Sequence, residues 1–224
     1  ISDMKFKTLF IDEAAQALEP ASWIPIAKAS RVIFFGDPLQ LPPTVKSTAA
    51  KKQGFHITLM EKSLERHPSA TFLLNIQYRM HEDIMNFSNQ QFYKNELIAH
   101  ESVRFHDLDL NTEMDRPVEW IDTAGCGFEE QVNPEYKSRF NPDEFNILRE
   151  HLYQLIAEFP EGELPSIGII SPYKEQVIHI REAVSEDKDL AHLPLDINTI
   201  DAFQGQERDV IYISLVRSND KGEI

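Results

Sequence analysis

Phe6-Lys7-Thr8-Leu9-Phe10-Ile11-Asp12-Glu13 is an apolar run that stops abruptly on a pair of carboxylates. Aromatic and β-branched residues in a short unbroken run read as a buried strand. Arg31-Val32-Ile33-Phe34-Phe35 repeats the pattern and stops on Gly36-Asp37, and Ala70-Thr71-Phe72-Leu73-Leu74 reads as a third buried strand. Further along, Val118-Glu119-Trp120-Ile121-Asp122, Ser166 to Ile170, Asp196 to Ile200 and Val210 to Val216 continue the series. Helical stretches separate these runs, which favours parallel strands with crossover helices over hairpins and so predicts an α/β fold. Carboxylates then stand at carboxyl ends of strands, the edge where open α/β sheets bind ligands.

One helix is fully specified by local chemistry. Asn141-Pro142-Asp143-Glu144 supplies an N-cap, a proline in the first turn and a glutamate able to cap reciprocally, and Phe145, Leu148, Leu152 and Leu155-Ile156 form an apolar face. Residues 99–140 are polar and irregular, and read as surface loop around one strand.

The chain of 224 residues carries a net charge of −15, which taken alone argues against a partner as acidic as nucleic acid. The charge is unevenly spread. Residues 1–72 hold nine Lys/Arg against seven Asp/Glu, leaving 13 basic and 30 acidic residues for the remainder. That asymmetry suggests two modules, although acidic residues also serve simply to keep a surface solvated. The single cysteine, Cys126, excludes an internal disulfide, and the eight histidines lack the spacings of a structural zinc site, so no protein-bound transition metal is expected. No run of about 18 apolar residues reads as a membrane span, and Ile1-Ser2-Asp3-Met4 has no charged-then-apolar signal pattern. The expectation is a soluble, cytoplasmic chain without membrane contact.

Four polar constellations follow or adjoin the strands. Asp12-Glu13 suits phosphoryl chemistry: one carboxylate can hold a Mg²⁺ that bridges two phosphates, and its neighbour can orient the attacking water. The same pair can equally cap a helix over Ala14-Ala15-Gln16-Ala17-Leu18. Gly36-Asp37-Pro38-Leu39-Gln40-Leu41-Pro42-Pro43 places the Gln40 amide at the same sheet edge, where it could sense a terminal phosphate, or is a proline-stiffened turn. Gln77-Tyr78-Arg79-Met80-His81 joins an arginine suited to charge on a transferring phosphoryl group with an aromatic able to stack on a base. In Asn198-Thr199-Ile200-Asp201-Ala202-Phe203-Gln204-Gly205-Gln206-Glu207, Gly205 permits close backbone approach, and Gln204 and Glu207 can bond ligand hydroxyls.

In this order and spacing the four resemble the motifs of superfamily 1B helicases, the group typified by the RNA helicase of nonsense-mediated decay and the immunoglobulin-switch-region-binding helicase. Asp12 to Gln16 looks like motif II (the Walker B carboxylates), Gly36 to Pro43 like motif III, Gln77 to His81 like motif IV and Ala202 to Glu207 like motif V. The resemblance takes in Phe92-Tyr93 and Ser171-Pro172-Tyr173-Lys174, and is weakest over residues 99–140. It implies two RecA-like, parallel-sheet lobes of the P-loop NTPase type, residues 1–75 and 76–224, serving an ATP-dependent motor on single-stranded DNA or RNA. It further implies that Asp12 holds Mg²⁺ largely through water, Glu13 orients the catalytic water and Gln40 senses the γ-phosphate. Arg79 would be the arginine finger, Tyr78 the adenine-stacking ring, Glu207 a ribose ligand and Gly205 a backbone contact to the γ-phosphate. Thr199, Ser171, Pro172 and Tyr173 would face the nucleic-acid backbone, with Lys46, Lys51 and Lys52 either extending that track or merely solvated.

No Gly-x-x-x-x-Gly-Lys-Ser/Thr occurs in the chain, and it stops at Lys221-Gly222-Glu223-Ile224, where the resembled family would continue into motif VI. These features create the expectations of a first lobe truncated before its phosphate loop, an open sheet edge prone to self-association, and negligible ATP turnover by the 224 residues alone. Two other readings stay open: a catalytically dead helicase-like scaffold, disfavoured by the intact Asp12, Glu13, Gln40 and Arg79, and the helicase core of a larger nuclease.

Overall fold

The computed structural model describes residues 4–110, 112–160 and 162–218, so Lys221–Ile224 lie outside the described residues. The chain divides into two compact units, Ile1–His100 and Glu101–Ile224.

In the first unit, β1 (Leu9–Ile11), α1 (Glu19–Ile26) and β2 (Val32–Phe34) form a β-α-β crossover. The strands are parallel, with Leu9 beside Val32 and Ile11 beside Phe34. Two further bonds carry the pairing beyond the strands: Phe35 N–H donates to Ile11 O at 2.8 Å, and Ala14 N–H to Phe35 O at 2.8 Å. After α2 (Thr48–Lys52), α3 (Leu59–Arg66) opens on a full capping box, in which Thr58 N–H donates to Glu61 Oε2 at 2.7 Å and Glu61 N–H to Thr58 Oγ1 at 3.1 Å. Met60 of α3 is buried against Ala14 and Ala15, with Ile11, Phe34 and Leu64 around them. The unit closes with β3 (Ile76–Gln77), α4 (Glu82–Phe92) and β4 (Ile98–Ala99), again a parallel pair joined through a helix.

The strand expected over Ala70–Leu74 does not form. Residues 68–70 make a 3-10 turn, pairing begins only at Ile76, and Phe72 and Leu74 are 85% and 83% exposed. An apolar run becomes a strand only where another strand takes up its backbone groups, and among the described residues none pairs with 71–74, contact with β4 starting only where Ile98 N–H donates to Asn75 O at 2.7 Å.

In the second unit, β5 (Gln131–Val132) and β6 (Arg139–Phe140) form a short antiparallel pair, a local exception to the expected absence of hairpins. Next come α5 (Pro142–Ala157), β7 (Ile167–Ser171), α6 (Lys174–Glu186), β8 (Leu195–Thr199), α7 (Ile200–Phe203) and β9 (Val210–Ile213). The sheet is parallel throughout, in the order β8-β7-β9. The central strand β7 is almost wholly buried, as a parallel strand covered by helices must be. Phe145, Leu148, Leu152 and Leu155 of α5 and Val177, Ile180 and Val184 of α6 complete the core, each side chain contributing about 1.5–3 kcal/mol by leaving water.

Two expectations fail here. Val118–Asp122 pairs with no described strand and leaves Trp120 76% exposed, so among the described residues of 101–130 no strand forms. Asn141 caps α5 as read, accepting from Glu144 N–H at 3.2 Å, but Glu144 does not cap in return. Its carboxylate instead accepts from the backbone N–H of Leu215 at 2.7 Å and of Val216 at 2.6 Å, pinning the chain where it leaves β9. The α/β class with parallel sheets is as expected.

Candidate functional site

Asp12 and Glu13 leave the carboxyl end of β1 in a tight turn, both exposed, with Glu13 in the left-handed region at φ 49. Asp12 Oδ1 accepts from Glu13 N–H at 3.0 Å, and the Gln16 amide donates to Glu13 Oε2 at 3.3 Å. Residues 14–16 form turns and the next helix starts only at Glu19, so the acidic pair does not cap a helix over Ala14–Leu18. Ala14 and Ala15, at 2% and 4% exposure, anchor the turn from below. Two open carboxylates therefore sit on a buried base.

The neighbouring strand β2 runs into Gly36, which approaches that base closely. A Cβ added there would lie 3.0 Å from the backbone nitrogens of both Ala14 and Ala15 and 3.1 Å from Met60 Sδ. Glycine is thus what lets the Asp12–Glu13 turn pack against the start of the Gly36–Pro43 loop. Within that loop Asp37 is the organiser. Its Oδ1 accepts from Leu39 N–H at 3.0 Å, and its Oδ2 accepts from the Gln40 amide at 3.1 Å and from the Tyr93 hydroxyl at 2.5 Å. The Tyr93 phenol titrates well above its ordinary value, pushed there by burial and then by the Asp37 carboxylate it donates to.

Gln77 does the same for the Tyr78–Arg79 turn. Its side-chain oxygen accepts from Arg79 N–H at 2.8 Å and Met80 N–H at 3.0 Å, and its amide donates to Met80 O at 2.8 Å. Tyr78 is 62% exposed and has its ring centroid 4.3 Å from that of His100; Arg79 is exposed. Asp37, Gln77 and Tyr93 lie within the sequence motifs, but the motifs alone predict no role for them. The local signal for Asp37 was an acidic residue straight after a strand-ending glycine, whereas nothing local marked Tyr93 as its partner.

In the second unit the remaining residues gather at the carboxyl ends of β7 and β8, where Ser171 lies directly opposite Thr199. Thr199 precedes α7 without spending its side chain on a cap, and Pro172 is exposed. Ser171 is fully buried, its hydroxyl accepting from Tyr173 N–H at 3.2 Å, so it shapes the turn rather than presenting a side chain to solvent. Tyr173 is hydrogen-bonded by Arg217, whose guanidinium is held above its ordinary value by Tyr173 and, against its own desolvation, by Glu130. Glu130 also accepts from Arg139 Nη1 at 2.5 Å and Ser218 N–H at 3.1 Å. Gly205 (φ 77) and Glu207 are exposed in the loop after α7, and a Cβ on Gly205 would meet nothing within 4 Å, leaving room for close approach. That loop is tethered by Phe203, buried on Gly168 of β7 and covered by the Arg208 guanidinium 5.4 Å from its ring. Arg208 in turn pairs with Asp196 at 2.5 Å.

Among the described residues no group of three or more His, Cys, Asp or Glu could hold a metal alone, and no helix is long and apolar enough to cross a membrane. The donor set suits a hard cation completed by phosphates and water: Asp12 offers an exposed carboxylate, and Mg²⁺ is ordinarily held by only one or two protein oxygens.

A family model described as AAA domain matches residues 55–224, and a second of the same description matches residues 1–48. The DNA-binding protein SMUBP-2 of Rattus norvegicus is 39% identical over 98% of this chain and 22% of its own length. The DNA polymerase alpha-associated DNA helicase A of Saccharomyces cerevisiae is 36% identical over 98% of this chain and 35% of its own. An uncharacterized ATP-dependent helicase of Methanocaldococcus jannaschii is 34% identical over 97% of this chain and 32% of its own. The chain thus spans about a fifth to a third of the length of these relatives.

Proposed function

Because the chain belongs to the superfamily 1 helicases of the nonsense-mediated-decay and immunoglobulin-switch-binding type, we propose that it is part of an ATP-driven motor on single-stranded nucleic acid. The observation that carries this reading is the β1–β2 edge, where the Asp12–Glu13 turn after one parallel strand and the Asp37–Gln40 loop after the next are packed together through Gly36. Two carboxylates and an amide at adjacent strand ends are what phosphoryl transfer requires of this sheet edge.

Bound Mg²⁺ would neutralise charge developing between the β- and γ-phosphates. Asp12 would hold the cation, and Glu13 would orient and polarise the attacking water. Gln40 contacts the γ-phosphate, and Arg79, in a turn fixed by Gln77, stabilises charge on the group in transfer. Tyr78 stacks on the adenine, Glu207 binds the ribose and the Gly205 backbone approaches a phosphate. Thr199, Pro172 and the Tyr173 ring face the strand, contacting backbone and sugar without reading sequence. The lobes of this motor are residues 1–75 and 76–224, both RecA-like, a division by motif that differs from the compact units 1–100 and 101–224, and the work done is translocation on single-stranded DNA or RNA.

Without a phosphate-loop motif among the 224 residues, turnover by them alone is expected to be negligible. Their self-association is expected through the first unit's sheet, where Phe10 is 62% exposed. The reading is tested by ATP turnover of the full-length protein with and without single-stranded DNA or RNA. Strand-stimulated turnover that Glu13→Gln abolishes supports it. Absence of turnover with either strand favours the scaffold reading.

A further inference from the structure

The Tyr93–Asp37 hydrogen bond links two segments that lie 56 residues apart, and hydrolysis as outlined gives it no task. A carboxylate only accepts, so the nitrogen end of the Gln40 side chain must face Asp37, and the Tyr93 hydroxyl must donate to it. One amide hydrogen of Gln40 is spent on Asp37. The other hydrogen and the carbonyl oxygen remain for a phosphate oxygen and a water.

Asp37 could not hold this geometry unaided, since it too is a side chain in a loop. Its Oδ1 is fixed by Leu39 N–H and its Oδ2 by Tyr93. Tyr93 itself is firmly placed. It caps the end of α4, with its N–H donating to Asn89 O at 3.1 Å, and the next residues, Lys94 (φ 54) and Asn95 (φ 63), turn through the left-handed region. Non-glycine residues hold that conformation only where surrounding contacts impose it. Asn89, 5% exposed, imposes it by donating to Leu97 O at 3.1 Å and accepting from Leu97 N–H at 2.9 Å. The N-cap of α4 is His81, the last residue of the Gln77–His81 motif, so this helix joins the Arg79 turn at one end to the Gln40 loop at the other.

We propose that Tyr93 is a positioning residue for ATP hydrolysis: through Asp37 it sets the orientation of the Gln40 amide, and α4 couples that orientation to the Arg79 turn. The proposal rests on Gln40 acting at the γ-phosphate. Because its phenol titrates well above the ordinary value, Tyr93 remains a donor throughout the working pH range.

The test is steady-state ATP turnover of the full-length protein on a saturating single strand, with Tyr93→Phe made both alone and in a Gln40→Ala background. Tyr93→Phe is expected to lower kcat by about 10–150-fold, the effect of one lost charge-assisted hydrogen bond, while KM for ATP stays within about twofold. In the Gln40→Ala background the same substitution should have no further effect on kcat, an outcome that a merely structural role would not give. Asp37→Asn provides a second route to the same phenotype, with thermal melting of every variant checked against the wild type. Wild-type kcat in Tyr93→Phe, or an equal loss with and without Gln40, overturns the proposal. If Glu13→Gln retains full turnover, the hydrolysis reading fails and the proposal falls with it; if Glu13→Gln is dead while Tyr93→Phe is wild-type, only the proposal falls.

Discussion

Gly36→Ala is the smallest change that separates the two strand ends of the candidate site. The new Cβ would sit 3.0 Å from two backbone nitrogens, where ordinary contact begins near 3.4 Å, so roughly 0.4 Å must be found against both Ala14 and Ala15. Neither can yield cheaply. Both are buried, Ala14 N–H is bonded to Phe35 O at 2.8 Å, and the third neighbour, Met60 Sδ at 3.1 Å, belongs to the same small core. Overpacking of this kind costs about 1–3 kcal/mol. In a unit of this size that lowers the melting temperature by about 4–24 °C, at some 4–8 °C per kcal/mol. The relief that remains is movement of the Asp12–Glu13 turn, which should reduce strand-stimulated ATP turnover by about tenfold, given the sensitivity of phosphoryl transfer to sub-ångström placement. Calorimetry and steady-state turnover read the two effects. Gly54→Ala is the comparator: it has φ +83 but meets only the tip of Ile57 at 3.4 Å, so it should cost about 1 kcal/mol and leave turnover unchanged. A Gly36→Ala protein that melts within about 1 °C of wild type and turns over normally would refute this packing argument.

Gly168→Ala should act similarly on the second unit. Its Cβ would lie 2.8 Å from Phe203 Cζ and 3.3 Å from Arg208 Cγ, so a loss of about 1–3 kcal/mol is expected in thermal unfolding. Gln77→Ala removes the three hydrogen bonds that shape the Arg79 turn, and kcat should fall severalfold with KM for ATP little changed. Two carboxylates should give opposite pH signatures. Burial would raise Glu130, but Ser218 N–H, Arg217 and Arg139 outweigh it and hold the group below its ordinary 4.5. Its stabilising contribution is complete above pH 4.5 and lost as pH falls through the lowered value, so Glu130→Gln should flatten the acid limb of melting temperature against pH. Burial raises Glu144 despite its bonds to Leu215, Val216 and Ser214. Its contribution is complete below 4.5 and lost as pH rises through the raised value, so Glu144→Gln should remove a decline in stability that sets in as pH rises above 4.5. Slopes unchanged in both variants would contradict these assignments.

What could be read from the sequence was whatever local chemistry decides. The α5 boundaries followed from Asn141, Pro142 and the spacing of Phe145, Leu148, Leu152 and Leu155, because capping and a helical face are set within a few residues. The runs before Gly36-Asp37 and Asp12-Glu13 were legible for the same reason, since each ends on a polar break. Phe72–Leu74 and Val118–Ile121 misled because β propensity shows only that a residue suits a pleated surface, and not which strand will pair with it. In the candidate site the positions of Asp12, Glu13 and Gln40 were visible, but the contacts that orient them were not. Gly36 against Ala14, Glu144 reaching Leu215, and Tyr93 on Asp37 all join residues far apart in sequence, where no periodicity or motif reports a partner.

The proposed motor moves on a single strand at the expense of ATP. Its most direct test is displacement of streptavidin from biotin on either end of a single-stranded oligonucleotide by the full-length protein. ATP-dependent displacement from one of the two ends is expected, with loss of it in Glu13→Gln. Turnover with no displacement from either end, or displacement that survives Glu13→Gln, would contradict the claim.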